Sequence, residues 1–131
     1  MNPIPALALG LTLAATPLAA KPPLSEVPFI TEGLIDTGIA YEISEVCDDI
    51  HARTLRGLGF LLSLERHALD IGYSRDEVDA YIDNKQEAER LEAIARARLA
   101  DMGAVVGQPE TYCDVGRREI AAGSQIGRLL R

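Results

Sequence analysis

The side chains of this sequence able to do chemistry are His51 and His67, Cys47 and Cys113, and the acids Glu45, Asp48 and Asp49. His67 and Asp70 are spaced i,i+3, which on a helix suits a base with its orienting carboxylate. The helix dipole alone also favours a surface histidine near a helix C-terminus, and that structural reading is adopted for His67. His51 falls in the same expected helix, about 160° from His67 around its axis, so the two cannot hold one metal ion within a single chain. Glu45, Asp48 and Asp49 lack the alternating spacing and central glycine of a calcium loop, and Asp48 or Asp49 suits a helix N-cap. Gly123-Ser124-Gln125-Ile126-Gly127 places its serine one position too early for a nucleophile elbow, and no strand precedes it. Gly123 and Gly127 form a GxxxG, which in a water-soluble helix means close packing. No phosphate loop, dinucleotide fingerprint or zinc spacing occurs. No catalytic residue, cofactor or metal ligand is therefore assigned.

Cys47 and Cys113 lie outside any CxxC, which leaves redox catalysis and zinc without support. In an oxidising compartment two cysteines of a small domain pair, in the one connectivity available. That disulfide would close a loop of 66 residues, worth roughly 4 kcal/mol on the chain-entropy model. The compartment is read from the N-terminus. Met1 to Ala20 carry no charge, Ala6 to Ala15 (ALALGLTLAA) are apolar, and Ala19-Ala20 precede Lys21. This pattern reads as a signal peptide over residues 1–20, cleaved after Ala20, with a single helical domain at 21–131. A retained N-terminal anchor is the alternative, and only then would the protein meet a membrane.

The elements that position these residues follow from apolar spacing. Lys21 to Pro28 (KPPLSEVP) is an extended lead-in, because its prolines deny it a helix. Thr31 caps a first helix to about Cys47, with Ile35, Ile39, Ile43 and Val46 on one face. Gly33 and Gly38 weaken it. A second helix runs from about Ile50 to Ile71. Its middle, Gly57 to Leu64 (GLGFLLSL), is apolar almost all round, which predicts the most buried element. Ser74 and Glu77 form a capping box for a third helix ending near Asn84, and a fourth spans about Lys85 to Met102. A final helix runs from Pro109 to Leu130, with Cys113, Gly116, Ile120, Ser124 and Gly127 near one line. The fold class is all-α, a compact bundle of about five helices closed by one disulfide.

The 131 residues are 47% hydrophobic and 25% charged, the balance of one globular domain, and the net charge of −7 argues against nucleic-acid partners. From Pro22 to Ile50 the charged residues are all acids, whereas the last helix carries Arg117, Arg118, Arg128 and Arg131. With the disulfide, this predicts a last helix antiparallel to the first and partly neutralising it.

Residues 21–131 resemble a group of small exported alphaproteobacterial proteins classed as a domain of unknown function. The segments that carry the resemblance are KPPLSEVP, Cys47-Asp48 with Ala52-Arg53, and Gly72 to Glu77. The most specific is Tyr112-Cys113 with Gly116 and EIAAGSQIGRLLR from Glu119. The resemblance implies an exported helical domain with paired cysteines and no activity. The first functional expectation is a non-enzymatic periplasmic or secreted protein acting through contacts with an envelope protein. The alternative is a small-ligand- or metal-binding domain with a pocket near Tyr41, Tyr81 or Tyr112. An enzyme using His67 and Asp70 is the third reading.

Overall fold

The computed structural model describes residue 15 and residues 20–131; the expected signal peptide lies almost wholly outside them. A 3-10 turn, Leu24–Glu26, is followed by α1 (Pro28–Val46), α2 (Thr54–Asp70), α3 (Arg75–Ile82), α4 (Lys85–Asp101), α5 (Pro109–Ala122) and α6 (Gln125–Arg128). Among the described residues there is no strand. The all-α class is as expected.

The centre of the bundle is α1, not α2. Helix α1 packs against α2, α4, α5 and α6, and Ile30, Ile35, Ile39, Ala40 and Ile43 are buried around most of its girth. The glycines expected to weaken α1 are what admit its neighbours. A Cβ on Gly33 would stand 2.7 Å from Leu64 of α2, and one on Gly38 3.5 Å from Ala95 of α4. Helix α2 buries only Leu64 and Ala68 and sits at the periphery. Among the described residues, much of its apolar circumference is therefore left exposed.

The ends of the elements depart from expectation for local reasons. The proline-rich lead-in contains the 3-10 turn, with Leu24 buried. Pro28, at the first turn where no amide hydrogen is needed, starts α1. Thr31 lies inside the helix, and its hydroxyl donates to the Val27 carbonyl at 3.2 Å. Asp48 and Asp49 cap nothing. Residues 50–53 are instead held by the C-terminal residues: His51 and Arg131 exchange amide–carbonyl bonds at 2.9 Å, and the Arg53 amide donates to Leu129 at 2.8 Å. This pairing delays α2 to Thr54. The capping box of α3 is formed, with Ser74 Oγ accepting from the Glu77 amide at 3.1 Å and Glu77 accepting from the Ser74 amide at 2.6 Å. Asn84 caps α4 through the Glu87 amide at 3.0 Å.

The expected single final helix is two. Gly123 takes a left-handed φ of 62° and ends α5, and Ser124 caps α6 by accepting from the Gly127 amide at 3.0 Å. Helix α6 folds back so closely that a Cβ on Gly127 would stand 2.0 Å from the Glu119 carbonyl oxygen. Ile126, Leu129 and Leu130 are thereby delivered into the core with Ile39, Ile43 and Val115. A smaller cluster of Leu24, Ile30, Leu64, Ala68, Tyr73 and Val78 holds α2 and α3 to α1.

Cys47, at the end of α1, is bonded to Cys113 in the first turns of α5, with Cα atoms 5.3 Å apart. One turn further, Gly116 faces Ile43, so α5 runs back along α1 as expected. The acids of α1 are answered mainly from α4, through Arg98 to Glu32 at 2.5 Å and Arg96 to Glu42 at 3.8 Å. From α5 only Arg117 joins in, reaching Asp49 just beyond α1 at 3.0 Å. Arg118 and Arg128 donate instead to the carbonyls of Met102 and Gly123.

Candidate functional site

The sequence-singled residues do not converge. His51 is exposed in the extended segment before α2, whereas His67, on α2, is half-buried with its ring 4.3 Å from that of Phe29. Asp70 is exposed, and among the described residues no hydrogen bond or ion pair joins it to His67. Cys47, Cys113 and Asp49 lie close together, but the two sulfurs are spent on each other and offer no thiolate. Asp49 is held by Arg117, whose guanidinium keeps its carboxyl below the usual range. Ser124 spends its hydroxyl on the cap of α6 and on the Glu119 carboxylate. Tyr112 is buried and Tyr41 exposed. Tyr81 donates to Glu87 at 3.1 Å; burial first, and then the Glu87 charge, push its hydroxyl up to about 12.

The feature that sequence reasoning misplaced is the outer face of α2. Leu55 is 85% exposed, Leu58 55%, Leu61 37% and Leu62 49%, with Ile82 of α3 at 65%. Positions 55, 58 and 62 share one side of the helix. The four leucines leave roughly two whole side chains of apolar surface in water, on the order of 3–6 kcal/mol if covered. Between them and α3 lies an open apolar groove of about 280 Å³, floored by Ile30, Leu34 and Val78 and walled by Leu61, Leu62 and Ile82. Glu65 of α2 and Arg75 of α3 bridge at 2.6 Å beside it. Single exposed leucines are ordinary; here several adjoin one another beside an apolar groove.

Both halves of this surface are fixed by the chain around them. Leu64 of α2 fits against Gly33, and the capped start of α3 anchors Val78 in the smaller cluster. Lys21 pins the lead-in to the same region, donating to the Gly72 carbonyl and to Glu77, both at 2.9 Å, with its ammonium 4.5 Å from the centre of the Tyr73 ring.

Residues 22–131 match the model of a family of unknown function, DUF5333. The chain belongs to DUF5333. No curated protein and no solved structure matches it. The DUF5333 match takes in the six α-helices of the described residues, both cysteines and the whole of the apolar face.

Proposed function

We propose that this DUF5333 protein is a non-enzymatic periplasmic protein that acts through protein–protein contacts, as an accessory factor of an envelope complex, and that its contact surface is the α2–α3 face. The observation that carries the proposal is the exposed leucine stripe of α2 beside the apolar groove. A domain with a packed α1 core and a bridge between α1 and α5 has no folding need for apolar residues on the outside of α2. Covering them with a partner supplies the burial that the described residues leave undone. The groove gives the partner side chains a concave seat, as a helix or loop inserted from another protein requires.

The test is affinity isolation from mildly solubilised envelopes with tagged wild-type protein and with a Leu58→Asp/Leu62→Asp variant, followed by mass spectrometry. The proposal expects a stoichiometric envelope protein that the variant loses while keeping its helical circular-dichroism spectrum. An associate retained equally by both forms, or none with either, overturns it.

A further inference from the structure

The leucine stripe of α2 begins in a basic hollow. Leu55, its most exposed leucine, also lines an opening of about 370 Å³ at the start of the helix, together with Arg53, Thr54, Arg56 and Arg131. The arginines come from two distant segments, joined by the pairing of residues 51–53 with 129–131. No acid lines the hollow. Among the described residues, none of the three arginines pairs with a side-chain or chain-end carboxylate. Elsewhere Arg75, Arg90, Arg98 and Arg117 each hold a carboxylate, and Arg118 and Arg128 hold carbonyls. Acids outnumber Lys and Arg by 20 to 13 in the chain, so an unbalanced basic hollow is not what composition alone would leave. Like charges gathered without a counter-charge repel one another. Arg53 gives α2 no side-chain cap, so the positive end of the helix dipole adds to the same hollow.

Further along the stripe the charges are mixed and select no sign: Arg66 and Asp70 are both exposed on α2, and Arg75 is held by Glu65. The sign is decided at the start of α2 alone. Resting on the proposal that this face is a protein contact surface, we infer that its occupant is an apolar segment of an envelope protein that carries a carboxylate over Arg53, Arg56 and Arg131. Leu55, Leu58 and Leu62 cover about 10 Å of α2, or two helical turns. Apolar side chains of the partner spaced over that length meet the stripe, and an acid within the next turn reaches the hollow. There the planar guanidinium groups accept a carboxylate through paired hydrogen bonds. Charges at such a rim select the partner and speed the encounter more than they add affinity, which the leucines supply. An anionic membrane is a poorer match, because the exposed Asp79 and Asp83 of α3 and the net charge of −7 would face it.

The experiment is photo-crosslinking from position 55 in the protein expressed in its own host, with the joined peptide sequenced by mass spectrometry. The affinity of the purified pair is then measured at low and high salt. The expected adduct is to an envelope protein, at a peptide with an Asp, a Glu or a terminal carboxylate within about four residues, one helical turn, of the joined one. The dissociation constant rises with salt. It rises at least tenfold on Arg53→Glu/Arg56→Glu and is largely restored when the partner's acid is replaced by lysine. Both arginines are exposed, and an unchanged helical spectrum confirms that the variant folds. A joined peptide with no acid in reach, a partner indifferent to Arg53→Glu/Arg56→Glu, an adduct to lipid or to a second copy, or no adduct from position 55 overturns the inference. In each of those cases the contact face stands if Leu58→Asp/Leu62→Asp still costs the protein its envelope associate. If it does not, both fall.

Discussion

Replacing Gly127 by alanine tests the two-helix ending of the chain, because here one methyl group meets backbone rather than side chain. The added Cβ would stand 2.0 Å from the Glu119 carbonyl oxygen and 2.7 Å from the Ile120 nitrogen. Neither atom can rotate away, so α6 must lift off the end of α5 by more than an ångström. Ile126, Leu129 and Leu130, which are 7%, 3% and 2% exposed, move with it. The Arg131–His51 and Leu129–Arg53 bonds that tie the C-terminus to the start of α2 are strained as well. Overpacking in a well-filled core costs about 1–3 kcal/mol. Partial loss of three buried side chains and three backbone bonds takes the total to about 2–4 kcal/mol. The control is Gly57→Ala in α2, where nothing lies within 4 Å of the new methyl. There the alanine removes only the helix penalty of glycine and stabilises by about 0.5–1 kcal/mol. Urea unfolding followed at 222 nm compares the two, with midpoint shifts of opposite sign expected. If Gly127→Ala unfolds within about 0.5 kcal/mol of wild type, α6 does not pack on α5 as described and the reasoning is refuted.

Reducing the Cys47–Cys113 bridge should lower stability by roughly 4 kcal/mol, read as the difference between urea midpoints with and without reductant. Asp36 is pushed above its ordinary pKa by burial first, then by Glu32, so its ionisation opposes folding. Its stabilising share is present below the unfolded value and lost as pH rises through the folded one, so Asp36→Asn should stabilise at pH 7 and do nothing at pH 3, as thermal melts at both would show. Glu32 is held below its ordinary value by the Arg98 hydrogen bonds. Its contribution is present above the unfolded value and fades as pH falls through the folded one, so Arg98→Gln should flatten that acid limb of the stability profile. Export with cleavage after Ala20 predicts an intact mass beginning at Lys21, and a mass retaining residues 1–20 would contradict it.

The helical class, the bridge and the capping box were legible because each rests on local chemistry. Ser74 and Glu77 satisfy one another within a single turn, and two cysteines leave one pairing. The α1–α5 antiparallel arrangement followed from that pairing. What was not legible depends on contacts between distant segments. The start of α2 is set by residues 129–131, which pair with 51–53, and no local signal announces that pairing. Gly123 reads as part of a GxxxG within one helix, yet it is the left-handed residue that ends α5. The all-round apolar stretch of α2 predicts the core and is found at the periphery, because hydrophobicity reports a need for burial without saying what supplies it. With Gly33 and Gly38 letting α2 and α4 close on α1, the centre is already filled. Leu55, Leu58 and Leu62 are the remainder, and the same ambiguity that misplaced α2 marks the candidate contact face.

The most direct test of that face is a photo-crosslinking residue placed at position 58, with position 121 on exposed α5 surface as the control, in the protein expressed in its own host. Illumination should yield a discrete adduct from position 58 and none from position 121. Equal, diffuse labelling from both positions, or no adduct from position 58, would contradict the account.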